Sequence, residues 1–256
     1  MTTAILEAHA IRKDYGGITV LRGIDLAIEP GEAHVIIGPN GAGKTTLFKV
    51  LSGEVSPASG KVVFDGQDIT PLAGWQRTRL GIGRTFQSAH VFKDLTTLEN
   101  LIVSIEINQR VADKRFGILR LAAKPSVRKA AEELLGEFQL EDVADWTAAA
   151  LSHGDKKSLE LAMVIAARPR LLMLDEPTAG MAPADRQRSV AMISRLLKAQ
   201  GLSLLLTEHD MEVVFSLADR ITVLNYGEMI ATGSPEDVRN NPRVREVYLG
   251  HDVTAA

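Results

Sequence analysis

Gly38-Pro39-Asn40-Gly41-Ala42-Gly43-Lys44-Thr45-Thr46 is the stretch that decides how the rest of the chain reads. Gly38, Gly43, Lys44 and Thr45 have the spacing of a phosphate cradle: glycine, four residues, glycine, lysine, then serine or threonine. Upstream, the β-branched run His34 to Ile37 predicts a strand, and downstream Thr45 to Leu51 continues as a helix. Gly41 and Gly43 lack a Cβ, so the backbone can turn to positive φ and gather N–H groups around phosphate oxygens. The helix that follows aims its unpaired N–H groups at the same anion. Lys44 adds a full charge at the β and γ phosphates, the Thr45 hydroxyl suits Mg²⁺, and Thr46 offers a further hydroxyl.

Composition bounds what surrounds the cradle. The 256 residues are 45% hydrophobic, enough for one large core with an attached subdomain. Apolar runs such as Leu171–Leu174 and Leu204–Leu206 fall far short of the roughly 20 residues that span a bilayer. No basic segment followed by an apolar one opens the chain, so no secretory signal is expected. Without cysteines there is no disulfide framework or thiolate metal site, which suits a reducing cytoplasm. A net charge of −3, from 29 Lys plus Arg and 32 Asp plus Glu, argues against nucleic acid as the main partner.

Apolar alternation at Ile5–Ile11 and Ile24–Ile28 predicts an early β layer, with Pro30-Gly31 turning the chain toward the cradle strand. Between those strands Tyr15 is either an aromatic face for adenine or an ordinary core side chain. Gly60–Asp65 predicts another strand, and Gly81–Gln87 a further one. Gln87 is either a ligand for Mg²⁺ or water, or simply a polar strand end. From about Ser88 to Ala150 the composition turns helical. Val127, Ala130, Ala131, Leu134, Leu135 and Phe138 form one stripe on a helix opened by Pro125-Ser126. The cations between Asn108 and Lys124 read as a contact for anionic headgroups or as a solvated face.

At Leu151-Ser152-His153-Gly154-Asp155 Ser152 is a natural N-cap, and the apolar stripe Leu159, Ala162, Met163, Ala166 runs on to Pro169. Leu171–Leu174 then leads directly into Asp175-Glu176, and Leu202–Thr207 into Glu208-His209-Asp210. Active groups at the carboxyl ends of strands are where open α/β sheets place ligands. Two adjacent carboxylates can divide the chemistry. Asp175 suits Mg²⁺ through water, Glu176 suits the attacking water, and His209 is a donor candidate on the far side.

Taken together, these motifs resemble the ATP-binding subunits of ABC transporters, over nearly the whole chain. Tyr15 stands where that family stacks adenine, Gly38–Thr46 at the Walker A loop and Gln87 at the Q-loop. Leu151–Asp155 matches the signature motif, Leu171–Glu176 the Walker B strand and His209 the switch histidine. The resemblance implies an α/β fold with a P-loop NTPase (RecA-like) core, residues 1–87 and 156–256. It adds an N-terminal antiparallel β subdomain and an inserted helical subdomain, residues 88–155. It also implies a head-to-tail dimer in which Ser152, His153, Gly154 and Asp155 meet ATP held by the partner's Pro39, Asn40, Ala42 and neighbouring loop residues. Where the family has Leu-Ser-Gly-Gly-Gln, this chain has His153 and Asp155, and Asp155 is expected to point away from phosphate. The loop Ala179–Pro183 also differs from the family's commonest form.

Within the family, Gly81–Gln87, Phe92–Asn100, Ala179–Pro183 and Asn241–Gly250 resemble the ATPases of branched-chain or hydrophobic amino-acid importers. Urea-type importers and the lipopolysaccharide-exporter ATPase share several of these features. The implied partners are a second ATP-binding subunit, transmembrane permease subunits and, indirectly, a solute-binding protein. The implied place is the cytoplasmic face of the membrane. Val91, Phe92, Leu95 and Leu98 are read either as a groove for the permease or as filling for the subdomain's own core. A soluble ATP-switched regulator is the contrasting reading, though the paired modules or coiled-coil insertions usual in such proteins are not evident.

Overall fold

Runs of Ile, Leu and Val that are buried on both faces produce parallel strands, and four of them lie together in one sheet among the described residues. β3 (Ala33–Ile37) pairs in parallel with β8 (Ser203–Thr207) and with β9 (Arg220–Asn225), and β7 (Leu171–Asp175) pairs in parallel with β8. The computed structural model describes residues 4–85, 90–113 and 124–249. β10 (Glu228–Gly233) closes one edge antiparallel to β9, and β6 (Ile82–Arg84) lies at the other, giving the order β10-β9-β3-β8-β7-β6. At that second edge Gly81 accepts hydrogen bonds from the backbone of Arg170 and Leu171.

A four-stranded antiparallel sheet precedes and flanks the loop: β1 (Leu6–Tyr15), β2 (Ile18–Ile28), β4 (Ser59–Phe64) and β5 (Gln67–Asp68), in the order β2-β1-β4-β5. β1 and β2 are longer than the alternation at Ile5–Ile11 and Ile24–Ile28 predicts. Register shifts between Ala8 and Ile11, and between Lys13 and Asp14, break the two-residue pattern without ending the pairing. α1 (Lys44–Leu51) carries Leu47, Phe48, Val50 and Leu51 into one core with Ile11, Leu21, Ile36, Phe64 and Met173.

Contacts divide the chain into two compact units. The first holds residues 1–82, 170–176 and 193–256; the second holds 83–169 and 177–192. The second unit therefore runs past residue 155, because α5 (His153–Ile165) packs on α3 (Thr97–Asp113) and α4 (Pro125–Phe138). α4 buries Val127, Ala131, Leu135 and Phe138. In α5 the buried stripe is Leu159, Leu161, Ala162 and Ile165, with Met163 and Ala166 only half-buried. Leu98 fills this unit's own core, whereas Phe92 is exposed. α6 (Pro183–Gln200) starts in the second unit and ends in the first, followed there by α7 (Met211–Leu217), α8 (Pro235–Asn240) and the short α9 (Pro242–Val244).

One buried cation organises the first unit away from the phosphate loop. Arg77 on α2 (Gly74–Arg79) is fully buried and donates to the carbonyls of Val50, Leu51, Thr70 and Leu72. Burial pulls its guanidinium down to about 10, so it stays charged at neutral pH. The four carbonyls lie at the end of α1 and around the turn that follows β5. Arg77→Met removes the guanidinium donor from all four, leaving Val50 only the Gly53 N–H, and is expected to lower unfolding free energy by about 3 kcal/mol in urea denaturation. A loss below about 1 kcal/mol would show that water replaces the guanidinium there.

Candidate functional site

The cradle begins where β3 runs out. Gly38 takes φ +155, and a Cβ there would stand 2.2 Å from the Leu224 carbonyl oxygen on neighbouring β9, so only glycine lets the loop leave the sheet at this point. Pro39, Asn40, Gly41, Ala42 and Gly43 form the loop, and α1 starts at Lys44 with Gly43 as its cap. Thr45 and Thr46 are half-buried in the first turn. No acidic side chain occupies that turn, so the positive helix end is not neutralised by its own first turn.

Lys44 is only 8% exposed. Its Nζ donates to the Gly38 carbonyl at 2.6 Å and the Pro39 carbonyl at 3.2 Å, curling the side chain back over its own loop. Desolvation holds its ammonium below the usual lysine value, against the attraction of Glu176 and Asp175. Both carboxylates therefore lie within electrostatic reach of the loop.

They are delivered by β7 and held by the strand beside it. Asp175, 3% exposed, ends β7, and its Oδ1 accepts from the Thr207 hydroxyl at 2.6 Å. Glu176 follows at φ +49, in the left-handed region that costs a bulky residue of order 1 kcal/mol. Its N–H is secured by the Thr207 carbonyl at 3.0 Å and hydroxyl at 3.2 Å. The outcome is that two adjacent residues diverge: one carboxylate is buried, the other turned outward. His209, just beyond β8, places Nδ1 4.0 Å from Glu176 Oε2 and 3.9 Å from Glu208 Oε2, and its side chain is 62% exposed.

The structure thus brings Lys44, Asp175, Glu176 and His209 to one end of the parallel strands. Tyr15 is not a core residue: it is 44% exposed, with Lys13 Nζ 5.1 Å from its ring centroid. Gln87 lies outside the described residues. Thr207 was given no role from the sequence, although its signal is visible in retrospect: a hydroxyl closing the leucine run of β8, next to Glu208.

In the second unit, Ser152 caps α5. Its Oγ accepts from the Asp155 N–H at 3.1 Å and donates to Asp155 Oδ2 at 2.7 Å. The Asp155 carboxylate is therefore turned onto the cap, and the altered position still performs a helix-starting job. His153 Nε2 lies 3.8 Å from where a Cβ on Gly180 would stand. Asp185, paired with Arg188, comes within 3.6 Å of the corresponding point on Gly154.

Comparison with known proteins follows the same outline. The family model described as ABC transporter matches residues 21–179, and one described as branched-chain amino acid ATP-binding cassette transporter matches residues 228–254. The chain is 38% identical to the high-affinity branched-chain amino acid transport ATP-binding protein BraF of Pseudomonas aeruginosa, over 98% of this chain and 99% of that one. Among solved structures, the ADP conformation of MJ1267, an ATP-binding cassette of an ABC transporter, superposes with a TM-score of 0.83 at 31% identity, covering 97% of this chain and 100% of that chain. The dimeric post-hydrolysis state of the ATP-binding cassette MJ0796, bound to ADP and Pi, gives 0.76 at 25% identity, over 90% of this chain and 98% of that one. A model match across more than half the sequence and a relative aligned almost end to end place this chain in the ABC transporter ATP-binding family.

Proposed function

We propose that this chain hydrolyses ATP to power an importer of branched-chain or other hydrophobic amino acids. The observation that carries the ATPase reading is the convergence of the buried Lys44 ammonium with Asp175, Glu176 and His209 at the carboxyl ends of adjoining parallel strands. The solute class is supported by the likeness to BraF and by the second family match at residues 228–254.

Lys44 exchanges the Gly38 and Pro39 carbonyls for the β and γ phosphate oxygens, while the free N–H groups at the start of α1 bind the same charge. Glu176, turned outward by its left-handed backbone, orients and polarises the attacking water, and His209 steadies the γ-phosphate side. The residues present fit Mg²⁺. The Thr45 hydroxyl and the Asp175 carboxylate, already oriented by Thr207, are hard oxygen donors of the kind it takes in small number. No group of three His, Cys, Asp or Glu able to hold a metal occurs among the described residues, which suits an ion that arrives with its nucleotide. When bound, Mg²⁺ neutralises charge on the β and γ phosphates.

Gln87 completes this reading as a polar contact for the ion or water. Tyr15 supplies the adenine face, and Ser152, His153, Gly154 and Asp155 supply the opposite wall for ATP held by a partner subunit. The dimeric post-hydrolysis structure of a relative supports that arrangement. Permease subunits dock on the segment around the exposed Phe92, placing the chain on the cytoplasmic membrane face, with a solute-binding protein as indirect partner. No helix among the described residues is long and apolar enough to cross a membrane.

Glu176→Gln is expected to keep ATP affinity while lowering steady-state hydrolysis about 100-fold or more, measured by phosphate release. Turnover near wild type would remove Glu176 from the water-polarising role. The buried Lys44 yields a pH signature. A base whose value is lowered by burial loses its proton at a lower pH than an ordinary lysine, so ATP affinity should begin to weaken in alkaline solution before the ordinary lysine range is reached. Titration calorimetry on Lys44→Met should find weaker binding without that alkaline decline. Purified from its own cells, the complex should contain integral membrane subunits and a binding protein that retains leucine, isoleucine or valine; a soluble partner alone would favour the regulator reading.

A further inference from the structure

The turn between β9 and β10 uses a residue its own geometry disfavours. Tyr226 and Gly227 form a two-residue hairpin loop, at φ +45 and φ +79. That pair of left-handed angles belongs to a type I′ turn, for which Asn, Asp or Gly is suited in the first position and a bulky aromatic is not. The chain solves the same problem in the ordinary way elsewhere. Asp65 and Gly66, between β4 and β5, take φ +51 and φ +75. Nor does the tyrosine offset its strain by packing, since it is 79% exposed, the most exposed large hydrophobic side chain among the described residues.

The turn abuts the phosphate loop. Gly227 donates its N–H to the Ala42 carbonyl at 3.0 Å and accepts from the Arg22 N–H at 2.9 Å. A Cβ on Gly227 would stand 2.2 Å from the Val20 carbonyl oxygen, so no other residue lets the turn approach β2 this closely. On β2, Val20 lies two residues from Ile18, which pairs with Tyr15. The two exposed tyrosines thus flank one short stretch of β2, about 7 Å long, beside the loop that would hold the phosphates.

We propose that Tyr226 is a second aromatic contact for the nucleotide, holding the purine and ribose from the P-loop side while Tyr15 supplies the other face. The inference rests on the ATP reading above and assigns a further nucleotide-binding residue to it. A strained, unpacked aromatic next to the phosphate cradle is explained by a planar ligand that arrives with phosphates attached. Stacking on an aromatic ring is worth enough to alter affinity severalfold or more and tolerates either purine.

The test measures binding of ATP and of inorganic tripolyphosphate to the full chain by calorimetry, for wild type, Tyr226→Asn and Tyr226→Phe, with thermal unfolding in parallel. Asn suits the turn, so Tyr226→Asn should unfold at the same or a higher temperature. It should bind ATP about tenfold more weakly and tripolyphosphate unchanged, while Tyr226→Phe keeps wild-type ATP affinity. Unchanged ATP affinity in a stable Tyr226→Asn overturns the proposal. Equal weakening toward ATP and tripolyphosphate also overturns it, assigning the residue to bracing the loop. So does a defect confined to ATP-dependent self-association, which would make the ring a contact between copies. Wild-type protein that fails to bind ATP would overturn the parent reading as well.

Discussion

A desolvated ammonium is the constraint on which the first unit depends. Lys44 is nearly out of water, and a buried charge is tolerated only where hydrogen-bond acceptors surround it. Here the loop's own Gly38 and Pro39 carbonyls serve, so the peptide that would wrap the phosphates also holds the cation that would meet them. The charge is thereby kept in place, poorly solvated and ready to exchange neutral oxygens for anionic ones. Everything around it preserves that arrangement: β3 sets where the loop starts, Leu224 and Gly227 press on it from the neighbouring hairpin, and α1 anchors its far side through Phe48 and Leu51. Arg77 repeats the device away from the phosphate loop, a buried cation held by carbonyls with Asp68 adding attraction.

The strand that delivers the carboxylates, β7, obeys a different rule. Consecutive residues on a strand already point to opposite faces, whereas the proposed function asks Asp175 and Glu176 to serve one ligand. Ending the strand at Asp175 and throwing Glu176 into the left-handed region resolves the conflict, and Thr207 secures both residues with one hydroxyl and one carbonyl. The strain is local and the remedy is also local, which is why the neighbouring strand is part of the site.

Much of this was legible in the sequence, and the reasons differ by residue. The strand, loop and helix around Gly38–Thr46 could be read because glycine spacing and a β-branched run agree locally, and β7 because Leu171–Leu174 is an unbroken apolar run. Ser152 was legible as a cap, and the structure adds that Asp155 completes it, so the departure from the family pattern does not disturb the helix start. The full lengths of β1 and β2 were hidden because register shifts scramble alternation. Arg77 looked like one more cation in a polar segment, since nothing local reveals that carbonyls distant in sequence converge on it. Thr207 and Tyr226 were missed for the same reason: their meaning lies in what adjoining strands bring beside them.

The parallel sheet also dictates an order of events as the chain is made. β3 carries the phosphate loop, yet both of its partners, β8 and β9, come from the last quarter of the sequence; Gly31 and Ser203, 172 positions apart, hydrogen-bond across that gap. At ordinary synthesis rates the strand waits on the order of ten seconds without neighbours, a largely apolar segment in search of a ladder. Long-range parallel pairing is slow to form for the same entropic reason. The nascent nucleotide loop is therefore the part of this molecule most in need of protection on the ribosome, and a bound nucleotide cannot provide it, because the cradle does not exist until the C-terminal strands have arrived.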